Sequence, residues 1–205
     1  EALRNYLMRL GWSHKDKEIF TLEESIALFN LSGIGKSPSK LDIERIYSIN
    51  EYYIKNMDEK KLLAVLLNYC EKNKEKIDDK FKETLLTSMH FLKNKAKSLE
   101  DIHNNTKYII TNNFTINTED LKLIDDKSQK IVSDYCQKIE ENEILNKENL
   151  EMHLKELIVK YDTNFKGIGQ PLRIALTGSK YGPGIYDVIL SLGKKEVVKR
   201  LRNVI

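Results

Sequence analysis

Gly33-Ile34-Gly35-Lys36-Ser37 ends like a phosphate-binding loop, in which glycines let main-chain N–H groups cradle a phosphate that a lysine also reaches. That motif requires a further glycine at position 30, where this chain has Asn30, and a buried strand before it. Pro38 directly after Ser37 also fits poorly with a helix whose first N–H groups must face the phosphate. The histidines, His14, His90, His103 and His153, stand apart with no cysteine or carboxylate at ligand spacing, so no metal motif forms. The acid pairs Asp78-Asp79, Asp125-Asp126 and Glu140-Glu141 fall at expected helix starts or on polar faces, where capping and solvation account for them. Cys70 and Cys136 are too distant and too few for a zinc ribbon or a disulfide framework, which makes a reduced, cytoplasmic setting the expectation. Residue type and spacing therefore supply no catalytic residue and no metal site.

The elements that must position any site are helical. Three prolines and nine glycines in 205 residues are too little punctuation for an all-β chain. No apolar run approaches the roughly 20 residues of a membrane span, and Glu1-Ala2-Leu3-Arg4 does not open a secretory signal. The missing initiator Met leads to the expectation of a piece of a longer protein.

Leu3, Tyr6, Leu7 and Leu10 recur at helical spacing, with Gly11 as a stop. Thr21-Leu22-Glu23-Glu24 is a capping box for a helix to Phe29. Residues 31–40 form a loop, and Asp42 caps a helix with Ile43, Ile46, Ile49, Tyr53 and Ile54 on one stripe. Asp58, Asp78 and Ser98 mark three further starts. The Asn-rich stretch 111–118 is a connector. One long helix is predicted from about Glu119 through Ile139 and another from about Lys147 to Tyr161. Three short pieces follow: Pro171–Leu176 stopping at Gly178, Pro183–Leu192 stopping at Gly193, and a turn-rich end. The expected class is all-α.

The net charge of +3 is uneven: residues 101–150 carry six Lys/Arg against ten Asp/Glu, and residues 151–205 carry ten against five. A basic final quarter is compatible with a polyanionic partner, though charge alone favours an ordinary solvated surface.

The tail carries more information. Gln170-Pro171-Leu172-Arg173-Ile174-Ala175-Leu176-Thr177-Gly178 precedes Gly182-Pro183-Gly184-Ile185-Tyr186 and Leu192-Gly193-Lys194. With Glu1-Ala2-Leu3-Arg4-Asn5-Tyr6-Leu7, Leu10-Gly11-Trp12-Ser13, Glu18-Ile19-Phe20-Thr21-Leu22-Glu23-Glu24, and Asn50 ahead of Tyr53-Ile54, this pattern resembles the C-terminal region of bacterial glutamyl-tRNA synthetases, collinearly over essentially the whole chain. The resemblance implies a helical stem-contact segment at 1–57, a first anticodon-binding subdomain at 58–107 and a second at 108–205. It implies that the parent enzyme ligates glutamate to tRNA with ATP and magnesium. The H-I-G-H and K-M-S-K-S signatures would lie upstream. Lys36-Ser37-Pro38-Ser39-Lys40 echoes the second but falls downstream of its place. The expected piece is thus a non-catalytic tRNA binder, without cofactor of its own, that packs on an N-terminal catalytic domain and acts as a monomer. Glutamine isoacceptors are left open beside those of glutamate.

By the same resemblance Arg173, Gly182, Pro183 and Ile185 contact the first anticodon base, and Lys95 stands where some family members use arginine for the third. A lysine is a point donor without arginine's planar fork. Ser48 replaces a tryptophan common in the family. For Arg173 the competing role is a brace to a helix-end carbonyl, for Gly182 and Pro183 a plain turn, and for Lys95 a solvated helix end. A helical module that binds protein is the alternative to tRNA binding for the chain as a whole.

Overall fold

The computed structural model describes residues 1–111 and 114–205, so part of the predicted 111–118 connector lies outside the described residues. Among them the chain is all-α: α1 (Ala2–Gly11), α2 (Leu22–Leu28), α3 (Ile43–Asn56), α4 (Glu59–Lys72), α5 (Lys82–Leu92), α6 (Leu99–Ile110), α7 (Thr118–Leu121), α8 (Asp126–Glu141), α9 (Lys147–Lys160), α10 (Phe165–Thr177) and α11 (Ile185–Arg202). The only extended pairing among these residues is an isolated antiparallel bridge between Trp12 and Ile34.

Local chemistry explains most boundaries. Thr21 and Ser98 close reciprocal capping boxes with Glu24 and Asp101. Asp42 and Asp58 each accept the N–H three residues on. Asp78 makes no such bond; a 3₁₀ turn at Asp79–Phe81 leads into α5 instead.

Three expectations are corrected. The long helix from Glu119 is two helices, because Asp125 takes the Ser128 N–H at 2.8 Å and restarts the chain as α8. Pro171 does not open a short helix; it lies inside α10, which starts at Phe165 with Asn164 accepting the Gly167 N–H. An interior proline normally collides with the carbonyl four residues back, here that of Gly167. The packing of α10 against α8, α9 and α11, with Ile168, Leu172 and Ala175 fully buried, holds the helix together across it. Finally, the end is not turn-rich: Gly193 stops the helix that begins at Ile185, as expected, but a second helical stretch follows it. Gly193 (φ +75°, ψ 159°) is non-helical and divides α11 into two stretches at a kink, the second reaching Arg202 with Val197 and Leu201 buried in the core.

The buried side chains fall into two clusters. A small one joins Ala2 and Tyr6 of α1 to Ile49 of α3. A large one runs without interruption from Ile54 to Val204. Within it α5 packs on α11 and α6 on α10, and Tyr108 and Ser191 share a hydrogen bond at 2.9 Å between α6 and α11. This packing brings the α5–α6 turn beside the loop that leads into α11. The N-terminal segment is tied to the same turn, since the Asn50 amide donates to the Lys97 carbonyl (2.8 Å). Nearby, the nearly buried Lys93 ammonium holds the Met57 carbonyl and Glu59, both at 2.8 Å.

Candidate nucleic-acid interface

The loop between α10 and α11 begins at Gly178, whose φ of +78° and closeness to the Thr115 carbonyl, 2.5 Å from where a Cβ would stand, admit no side chain. It is then anchored from a distance. Asp120 of α7, 5% exposed, accepts the Lys180 main-chain N–H at 2.9 Å and lies 3.3 Å from the Lys180 ammonium. The Tyr181 N–H donates to the Ser179 hydroxyl. Beyond it Gly182, at φ +142°, has open space where a Cβ would be.

This loop forms one wall of a cleft of about 650 Å³, lined by Tyr181, Gly182, Pro183 and Gly184. The opposite wall is Phe91 of α5, Asn94 and Lys95 of the α5–α6 turn and Asp101, Asn104 and Asn105 of α6, with Asp187 of α11 also in the lining. Lys95 sits in the left-handed region (φ +61°) and is exposed. Asn105 donates to the Leu92 carbonyl at 3.0 Å, holding the turn. A second hollow on the other side shares Asn104, Asn105, Tyr181, Gly182 and Pro183 and continues past Lys107 and Thr177. The structure thus brings Lys95 together with Gly182 and Pro183.

Two predicted residues lie differently. Ile185 is 1% exposed, packed in the core and outside the lining of either hollow. Arg173 stands outside the lining of either hollow. From α10 its Nη1 points at the Lys180 carbonyl at a long 3.5 Å, while Nε is buried with no hydrogen-bond partner. Burial pulls its pKa below the usual guanidinium value, and an acceptor at Nε would relieve the cost of that orphaned donor.

The earlier catalytic echoes are spent on structure. Gly33 donates to the Asn30 side chain, Ile34 to the Leu31 carbonyl and Gly35 to the Gly11 carbonyl, so the N–H groups of residues 33–35 are already used and are not free to cradle a phosphate. Ser39 donates to the Leu10 carbonyl. His103 meets Glu75 at 2.8 Å, Asp79 pairs with Lys82, and Glu140 with Arg202. Among the described residues no group of three or more His, Cys, Asp or Glu is placed to hold a metal ion, and no helix is long and apolar enough to cross a membrane.

Asp120, Asn104, Asn105 and Tyr181 are site residues that sequence reasoning missed. Asp120 looked like one polar position of a long helix, and nothing local links it to a partner 60 residues away. Tyr181 could have been found from its place directly before Gly182-Pro183-Gly184.

Asp120 yields a pH prediction. The Lys180 N–H, helped by the Lys180 ammonium, holds its carboxyl below the usual carboxylate pKa. A depressed folded-state pKa adds stability above the unfolded value of about 3.9 and loses it as pH falls through the folded value. Asp120→Asn should therefore unfold about 1–2 kcal/mol more easily at pH 7. In urea titrations the gap to wild type should shrink below about pH 4. A gap that stays constant to pH 3 would remove Asp120 as the charged anchor.

Comparison with known proteins places the chain in a family. The chain is 60% identical over 203 residues to a glutamate–tRNA ligase of Pelagibacter ubique, covering 99% of the chain and 44% of that protein. It is 31% identical over 205 residues to glutamate–tRNA ligase 2 of Parvibaculum lavamentivorans, covering 99% and 42%. The chain thus spans less than half the length of these relatives. The crystal structure of a glutamate tRNA ligase from Elizabethkingia meningosepticum in complex with its amino acid shares the fold, with a TM-score of 0.80 at 23% identity over 100% of this chain and 40% of that one. The family described as the anticodon binding domain matches residues 53–205, which span the large core and both walls of the cleft, and the chain belongs to that family.

Proposed function

We propose that the chain binds the anticodon loop of tRNA for an enzyme that joins glutamate to tRNA with ATP and magnesium in its preceding, catalytic part. The observation that carries this is the cleft in which the 93–97 turn faces the 179–184 loop. Unpaired RNA bases are read on their edges and faces by such mixtures of amide, cation, aromatic ring and open main chain. In this reading residues 58–107 supply one wall and 108–205 the other. Lys95 takes the third anticodon base, and Arg173, Gly182 and Pro183 take the first, with Ile185 buried behind them. Residues 1–57 leave Leu3, Leu7, Ile26, Leu31, Leu41 and Ile43 about half exposed or more. These exposed apolar side chains are assigned to packing on the preceding catalytic part. The whole works as a cytoplasmic monomer.

Phosphate contacts make such binding salt-dependent. The tRNA affinity of the 205-residue chain should fall by about 0.7 log units per log unit of salt for each single-stranded phosphate contact, hence by about 1.4 or more for two or more contacts. Filter binding or anisotropy between 50 and 300 mM salt would measure it. Binding indifferent to salt, or absent, would turn the assignment toward a protein partner.

A further inference from the structure

Tyr181 has no role in the reading given so far, yet it is the most exposed aromatic side chain among the described residues, at 74%. Of the other exposed rings, Phe29, Tyr52 and Phe165 each lean on a neighbouring ring within about 6 Å, namely Trp12, Tyr53 and Tyr186 respectively, and Tyr47 is far less exposed at 41%. Among the described residues no ring packs on Tyr181, and the Lys180 ammonium lies 5.4 Å from its centroid. Despite that exposure the main chain carrying the ring is well fixed. Asp120 holds the N–H before it, the Ser179 hydroxyl holds its own N–H, and Gly178 locks the start of the loop. A tyrosine with only two side-chain torsions, on an anchored loop, presents a large flat face at little entropic cost.

The ring also stands at a particular place: Tyr181 is in the lining of both hollows, at the ridge they share. Across from it are Asn94, Asn104 and Asn105, whose amides carry both donors and acceptors, and Lys95. Beside it Gly182 leaves room for a planar group, with no atom within 4 Å of an added Cβ. Lys107 and Lys180 add positive charge along the way.

We infer that Tyr181 is a stacking platform for one unpaired base of the bound RNA loop, an inference that rests on the tRNA reading above. Stacking engages the π-face that every base has. Tyr181 therefore contributes affinity and holds the loop open, while base identity is read by the residues around it. It is a binding residue that tolerates any base at its position.

The test uses the 205-residue chain and an anticodon stem-loop RNA carrying 2-aminopurine, in turn, at each anticodon position and its two flanking positions. Wild type and Tyr181→Phe should quench the probe at one position and bind within about two-fold of each other, because the ring is kept. Tyr181→Ala and Tyr181→Leu should lose that quenching, and the alanine should weaken binding about 5- to 100-fold, whichever base stands there. A side chain this exposed is dispensable for folding, which the helical circular dichroism of each variant would verify. Quenching and affinity that survive in Tyr181→Ala would overturn the stacking role alone. If the wild-type chain does not bind the stem-loop, the tRNA reading itself falls, and stacking falls with it.

Discussion

Arg200→Met is expected to lower the unfolding free energy by about 3 kcal/mol, which for a chain of this size is a drop of roughly 6–12 °C in Tm. Arg200 is 3% exposed. Its Nε donates to Glu196 at 2.8 Å, its Nη1 donates to the Leu176 carbonyl at 2.8 Å, and its guanidinium lies 4.3 Å from the Phe114 ring centroid. Methionine has about the right length to fill the space, but it leaves the carbonyl near the end of α10 without its donor. Removing one member of a buried charged pair typically costs about 3–5 kcal/mol. The lower end applies because Glu196 is a third exposed and keeps Lys199 at 3.5 Å. Since the Leu176 carbonyl borders the 178–184 loop, tRNA affinity should fall with stability. Urea unfolding of Arg200→Met and Arg200→Lys would measure the first effect. An unchanged midpoint in both would show that the brace contributes nothing to the fold.

The second large effect concerns Arg173, and it belongs to binding. Arg173→Ala should weaken tRNA binding by about 1–3 kcal/mol if the guanidinium reads a base edge. Its geometry allows two outcomes that differ in their dependence on the RNA. The long contact to the Lys180 carbonyl is the brace, whereas the buried Nε has no partner and is free for a ligand. A base contact makes the loss vary when the first anticodon base is changed, because a mismatched edge leaves polar groups unpaired on both sides. A brace makes the loss the same for every base. Lys95→Arg provides the internal control across the cleft. No carboxylate holds the Lys95 ammonium among the described residues, and its flexible stem reaches an acceptor on either cytosine or guanine. The parent enzyme should therefore discriminate weakly between glutamate and glutamine tRNAs, and Lys95→Arg should sharpen that choice at the third base without altering the response to the first. Charging of both tRNAs by the full enzyme would decide it. Strong rejection of glutamine tRNA before the substitution, unchanged after it, would take Lys95 out of base reading.

What the sequence determined by itself is whatever acts over a few residues. The capping boxes at Thr21 and Ser98, the caps at Asp42 and Asp58 and the stripes they launch were all legible, because a capping bond spans three residues and a helical stripe repeats within four. The loop glycines before α11 were legible too, through their resemblance to a known pattern. Where a helix survives a breaker was not. Pro171 is tolerated inside α10 because that helix is pressed into one core with α8, α9 and α11, and the stretch after Gly193 is helical because Val197 and Leu201 are buried in the same core, a gain that no local propensity contains. The same holds for the site. The carboxylate that anchors its loop is 60 residues from Lys180, and the brace behind it runs 24 residues from Leu176 to Arg200. Lys95 meets Gly182 and Pro183 only because α5 and α6 pack on α11 and α10. Contacts between distant residues are selected by burial of the whole apolar surface, so only the tertiary structure could decide which side chains face one another across the cleft.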